Sequence, residues 1–163
     1  MTQPNDPKAG RPNMPDYGIS TDAGGVLPWS WARERLERTR NYYVGTTRAD
    51  GRPHAAPVWG VWMDGMFIFS TASGSRKARN FAANPHCVVT TEDAAEAVIL
   101  EGVIETVSDA ALVTRFKKAY VDKYSWNMDT QNGPFYALRP SVAFGFIEAA
   151  DQFHTTATRW TFG

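Results

Sequence analysis

The sequence is short of the features that would assign it quickly. It has a single cysteine, Cys87, so no intrachain disulfide can form. Its three histidines, His54, His86 and His154, are scattered and share no zinc-type spacing with that cysteine, so no metal site is read from the chain. This cysteine usage fits a reducing, cytoplasmic setting. Long hydrophobic runs are missing: stretches such as Ala143 to Ile147 fall far short of the roughly 20 residues that span a bilayer. No charged n-region followed by an apolar stretch is present, so no secretion signal is expected. A charge excess is lacking as well. Seventeen basic residues face seventeen acidic ones, which leaves no global field to gather nucleic acid or an anionic membrane. Any anion site has to be local. GxGxxG does not occur, and helices do not alternate with strands, which excludes a Rossmann crossover.

What is present is apolar and aromatic. Of 163 residues, 43% are hydrophobic and 13% aromatic, enough for one core and too much for a disordered chain. Residues 1–28 differ from the rest, with five of the ten prolines, four of the thirteen glycines and almost no aliphatic side chain before Val26 and Leu27. They are expected to form a flexible N-terminal tail, or an arm lying on a neighbouring subunit. The folded domain is then 29–163.

Trp29, Ala32 and Leu36 lie at helical spacing after Pro28, which predicts a short amphipathic helix. Two Asp-Gly pairs, Asp50-Gly51 and Asp64-Gly65, separate β-prone runs and predict two consecutive hairpins across Tyr42 to Ser70. A helix over Arg76 to Ala83 follows, then strands at His86 to Thr91 and Ala97 to Val107. A second amphipathic helix runs to Tyr124 with Ser108 as its expected N-cap. Phe135 to Leu138, Ser141 to Glu148 and Ala157 to Phe162 supply the closing strands. The sum is a mostly β fold: six or seven antiparallel strands in a closed or nearly closed split barrel, with two to three helices.

Two stretches carry chemistry. In Ser70-Thr71-Ala72-Ser73-Gly74-Ser75-Arg76-Lys77-Ala78-Arg79-Asn80, hydroxyls and adjacent cations sit where a strand gives way to a helix. Unpaired backbone N–H groups and a partial positive charge at a helix start suit a phosphate or carboxylate. The plainer reading is a solvated helix start. In Arg52 to Trp62, Pro53 and Pro57 interrupt a strand-like run, as at an edge or a bulge. Such a strand offers unused backbone groups to a flat heteroaromatic ring; otherwise it is an edge strand with structural tryptophans.

Taken together, Tyr43-Val44-Gly45-Thr46-Thr47, Asp50-Gly51-Arg52-Pro53-His54, Pro57-Val58-Trp59, Phe69-Ser70-Thr71, Ser75-Arg76-Lys77-Ala78-Arg79-Asn80 and Arg159-Trp160 resemble the pyridoxamine 5′-phosphate oxidase-like split β-barrel superfamily. The likeness covers 29–162 and is greatest for the actinobacterial flavin and deazaflavin oxidoreductase branch. It implies a homodimer whose two clefts are each lined by both chains. Arg76 and Lys77 would grip a cofactor phosphate. Pro57, Val58 and Trp59 would lie along a tricyclic ring, and Ser70, Thr71 and Ser75 would support the ribityl chain and phosphate. Arg79 would add charge for the longer tail of coenzyme F420, the favoured cofactor, with FMN as the alternative. Trp126, Phe135 and Trp160 are candidate contributions from a partner subunit.

The resemblance further implies hydride transfer to an activated double bond or similar conjugated acceptor, such as an enone, a quinone or a tetrapyrrole-like compound. A flavin- or haem-type binding protein without turnover is the non-enzymatic alternative. No catalytic dyad is visible. His54, Tyr42, Tyr43, Asp129 and His154 qualify as proton carriers by residue type alone, and Cys87 reads as a small buried hydrophobe. True pyridoxamine phosphate oxidases recognise a phosphorylated pyridine with a longer chain and a C-terminal segment richer in arginine than Ala157 to Gly163 here.

Overall fold

The computed structural model describes residues 6–163; residues 1–5, part of the expected tail, lie outside the described residues. In chain order the elements are β1 (Lys8–Gly10), α1 (Trp29–Arg38), β2 (Tyr42–Thr47), β3 (Pro53–Val58), β4 (Gly60–Met63), β5 (Met66–Ser70) and α2 (Arg76–Ala83). Then follow β6 (His86–Thr91), β7 (Glu96–Thr106), α3 (Ala110–Tyr124), β8 (Phe135–Ile147), α4 (Phe153–Thr156) and β9 (Thr158–Thr161).

Both Asp-Gly hairpins form where expected. Gly51 takes φ +85°, and at the second turn Asp64 and Gly65 both take positive φ, the conformation that two-residue hairpins favour. All strand pairings are antiparallel. The sheet order is β1-β9-β8-β7-β6-β2-β3, with β4 and β5 joined to it through β5 and β8.

The expectation of a closed or nearly closed barrel of six or seven strands is corrected: the described residues form nine strands and the sheet does not close. The break lies between β3 and β4. These strands are consecutive in the chain, yet β3 pairs only with β2 and β4 only with β5. Pro53 and Pro57 have no N–H to give a second neighbour, which suits β3 to an edge. The predicted run from Pro53 to Trp62 therefore splits at Trp59. Conversely, the two predicted strands on either side of Pro140 are one, with the register shift taken up opposite Pro140 at Glu101/Gly102 of β7. A single-turn α4 brings the described helices to four.

The main core fills the bend of the sheet with Leu36, Tyr42, Val44, Phe67, Phe69, Leu100, Leu138 and Trp160, all at 0% exposure. Burial of each large apolar side chain is worth about 1.5–3 kcal/mol. A second cluster, Val61, Ile68, Phe116, Met128 and Phe135, lies beneath α3. β5 separates the two, so its first four residues are all buried: Phe67 and Phe69 face one cluster and Met66 and Ile68 the other. The proline-rich segment is laid against the body from residue 8. β1 extends the sheet beside β9, and the Arg11 guanidinium donates to the carbonyls of Asp22, Gly24, Thr155 and Ala157.

Candidate functional site

At the start of α2, Ser75 is an extended N-cap whose Oγ accepts from the Ala78 N–H at 3.2 Å. The Thr71 hydroxyl lies 3.3 Å from the same oxygen. The helix turns Ala78, Asn80 and Phe81 inward, and the Asn80 side-chain amide donates to Thr46 Oγ1 at 2.8 Å, pinning α2 to β2. This leaves Arg76 and Arg79 exposed and Lys77 half-buried. Among the described residues, none of the three cations has a carboxylate partner. The first turn also carries no acidic residue, and burial pulls the Lys77 ammonium below the ordinary lysine range. An anion set there would meet two guanidinium groups, an ammonium and a helix N-terminus.

The other predicted residues lie at two further points. Pro57 is exposed at the free edge of β3, and Val58 is half-buried against the core. Trp59 occupies the sheet break. Its indole stacks on Tyr124 at 4.6 Å with an interplanar angle of 8°, and its N–H donates to Asn41 Oδ1 at 3.0 Å. Arg40 lies 5.0 Å over its ring and Trp126 meets it edge-on at 6.3 Å. Ser70 is engaged elsewhere: its hydroxyl donates to the Pro134 carbonyl and accepts from Gln131, both at 2.9 Å. Thus Thr71, Ser75, Arg76 and Lys77 come together, with Arg79 one turn further on. Pro57 to Trp59 form a separate edge, and Ser70 is tied to the loop after α3.

The remaining candidates scatter. Phe135 and Trp160 are core residues of their own chain, whereas Trp126 is 59% exposed. A cavity of about 750 Å³ opens along β2, β3, β6 and β7, lined in part by Gly45, Thr47, His54, His86, Cys87 and Glu101. It contains none of the predicted cofactor-binding residues. His54 Nδ1 is buried without a hydrogen-bond partner among the described residues, while burial pushes the Cys87 thiol up to about 12, far from nucleophilic range.

Residues 31–149 match the family described as Pyridoxamine 5′-phosphate oxidase. The chain belongs to the pyridoxamine 5′-phosphate oxidase family. Solved structures of similar fold include a haem-binding protein from Mycobacterium smegmatis, with a TM-score of 0.63 and 19% identity over 77% of this chain and 57% of that one. An F420 reductase gives a TM-score of 0.55 and 23% identity over 68% of this chain and 94% of that one. The haem-storage protein HutZ from Vibrio cholerae gives 0.57 and 19% over 71% and 90%. At such identities the likeness is one of fold. This chain spans little more than half of the haem-binding protein's length. No curated protein matches the sequence.

Two parts of the candidate site in this pyridoxamine 5′-phosphate oxidase family member are invisible in sequence. Gln131 reaches Ser70 across 61 residues, a contact no local pattern carries. At the sheet break, the Lys123 ammonium donates to Tyr42 OH at 2.6 Å and to the Gly60 carbonyl at 3.2 Å, while the Tyr124 hydroxyl accepts from the Gly60 N–H at 3.0 Å. Only the adjacency of a lysine and a tyrosine at the end of a helix hinted at this. No helix among the described residues is long and apolar enough to cross a membrane.

Proposed function

We propose that this chain is a cytoplasmic, homodimeric oxidoreductase of the deazaflavin-using, actinobacterial branch, which takes hydride from reduced coenzyme F420 and delivers it to an activated double bond or similar small conjugated acceptor. The observation that carries the reading is the start of α2, where Arg76 and Lys77, with Arg79 one turn further on, stand without a carboxylate partner among the described residues beside a capped helix start. Uncommitted cations at a helix N-terminus fit the phosphate of a ribityl cofactor. The family membership supports a flavin-type ring, and the fold likeness to an F420 reductase supports the deazaflavin.

When bound, the cofactor supplies the hydride; the protein's part is to bind, orient and shield. Arg76 and Lys77 would hold the phosphate, with Arg79 adding charge for a longer anionic tail. Thr71 and Ser75 would present hydroxyls to the ribityl chain, and Ser70 would reach it from its bond to the loop. Pro57, Val58 and Trp59 would lie along the ring. FMN suits the same cradle and is the alternative cofactor. Support for two chains comes from the outer face of the sheet, where Tyr43, Pro57, Val88, Ile99 and Val103 are exposed or half-buried on neighbouring strands.

A second reading, a haem-type binding protein without turnover, is favoured by a different observation: the cavity of about 750 Å³ carries His54, with an unpartnered Nδ1, and His86. Titration of the purified protein with F420, FMN and hemin side by side separates the readings. Saturable F420 binding, weakened in Arg76→Ala, is the expected result. A yellow protein with a flavin spectrum that ignores F420 gives the site to FMN. A hemin spectrum that changes in His54→Ala, with no F420 or FMN binding, gives the protein to haem. Tight F420 binding without oxidation of the reduced form by any enone or quinone would make it a carrier.

A further inference from the structure

The open sheet leaves a problem at its break. β3 ends at Val58 and β4 begins at Gly60, and among the described residues no strand lies across the gap from the Gly60 peptide. Buried backbone groups need partners. The C-terminal end of α3 supplies them. The Tyr124 hydroxyl accepts from the Gly60 N–H at 3.0 Å and lies 2.8 Å from the Gly60 carbonyl and 2.7 Å from that of Arg40, one of which takes its proton. The Lys123 ammonium donates to the Gly60 carbonyl and to Tyr42 OH. Both faces of this clasp are tight. A Cβ on residue 60 would lie 2.3 Å from the Phe67 ring, so only glycine fits, and the Tyr124 ring carries Trp59 flat upon it.

We propose that Lys123 and Tyr124 are positioning residues: they stand in for a missing strand and hold the Val58–Trp59–Gly60 corner in the shape against which the tricyclic ring rests. The inference deepens the oxidoreductase reading and rests on it. Lys123 has no carboxylate partner among the described residues. It lies 4.8 Å from the Tyr42 ring centre and 5.4 Å from that of Tyr124. The titratable and charged groups around it are Tyr42 on β2, Tyr120 and Tyr124 on α3, and Arg40 between α1 and β2. Glu92 acts on Tyr42 and Tyr124, and Glu37 on Tyr42. Burial, and secondarily Arg40, bring the ammonium down to about 8, so the clasp loses its charge within an accessible pH range.

The test compares the full-length protein with Tyr124→Phe, Lys123→Met and the control Lys118→Met, which breaks only an exposed ion pair to Asp122 one turn earlier on the same helix. Affinity for F420 and FMN is measured from pH 6.5 to 9.5, alongside near-ultraviolet circular dichroism of the stacked Trp59 and thermal melting. Expected at pH 7 is about a five- to tenfold loss of affinity in each corner variant, the equivalent of one hydrogen bond. A weakened Trp59 signal should accompany it, with no change in Lys118→Met. Wild-type affinity is also expected to fall above about pH 8 along a limb that Lys123→Met lacks; should Tyr124→Phe fail to fold, that limb decides. Folded corner variants that bind like wild type overturn the proposal, as does an equal loss in Lys118→Met. Wild type that binds neither tricycle overturns the oxidoreductase reading as well, which sets the two failures apart.

Discussion

Lys77 differs from its two neighbours in being half-buried, so its charge is already partly stripped of water before any ligand arrives. An anion that pairs with it meets less solvent competition than one that pairs with Arg79. Replacing Arg76 or Lys77 by alanine is therefore expected to cost about 1.5–3 kcal/mol of cofactor binding, the range for hydrogen bonds to charged groups. Arg79→Ala should cost less, because this exposed side chain stands one turn further on. Fluorescence titration measures all three; unchanged affinity in the first two would move the anionic tail elsewhere. Cys87 makes a separate prediction. It is 6% exposed, and burial raises its thiol to about 12. Since the thiolate is the nucleophile, iodoacetamide at pH 8 should leave the native protein unlabelled and label it readily in denaturant. Fast native labelling would contradict the burial.

At the level of elements, α3 tests how helix ends are assigned. The sequence reads Ser108 as the N-cap, but Asp109 Oδ1 accepts from the Leu112 N–H at 2.6 Å. Asp109→Ala is thus expected to cost about 1 kcal/mol, and Ser108→Ala close to nothing, in thermal or urea unfolding. The reverse order would restore Ser108. The other end of α3 links stability to pH. The folded state binds the Lys123 proton less tightly than the unfolded chain does, because burial lowers its pKa from 10.5 to about 8. The penalty is full below about pH 8 and is relieved as pH rises toward 10.5. Lys123→Met has no such penalty, so its melting temperature minus that of wild type should shrink between pH 7 and 9.5; a constant difference would place the ammonium in water. These elements also show what sequence carries. The Asp-Gly turns were legible because their positive φ is a local demand, and the Ser75-Arg76-Lys77 helix start because cap and cations are neighbours in the chain. The break at Trp59 was not, since it depends on β3 lacking a second partner, and neither were Gln131 or Lys123, whose partners lie 61 or more residues away.

For the molecule as a whole, composition marked residues 1–28 as a tail, yet one guanidinium changes what that stretch does. Arg11 gathers four carbonyls from residues 22, 24, 155 and 157, and β1 covers the edge of β9. An exposed sheet edge invites pairing with another chain; β1 covers that of β9, β3 with its two prolines forms the opposite edge, and the outer face of the sheet is the proposed surface for association. Alternation along β2, β3, β6 and β7 puts Tyr43, Pro57, Val88, Ile99 and Val103 on that face, while Val44, Val89, Val98 and Leu100 turn inward. These side chains share the face with Glu101, Thr90 and His86, and apolar groups left incompletely buried there are a candidate interface. Light scattering is accordingly expected to give twice the 18.1 kDa of one chain. Introducing charge at two points of the face, as in Val88→Asp with Ile99→Asp, should yield monomers that keep their far-ultraviolet circular dichroism and lose cofactor affinity, because each cleft of the proposed homodimer would take residues from both chains. A wild-type monomer that binds F420 tightly would sink the two-chain cleft and leave the α2 cradle to act alone.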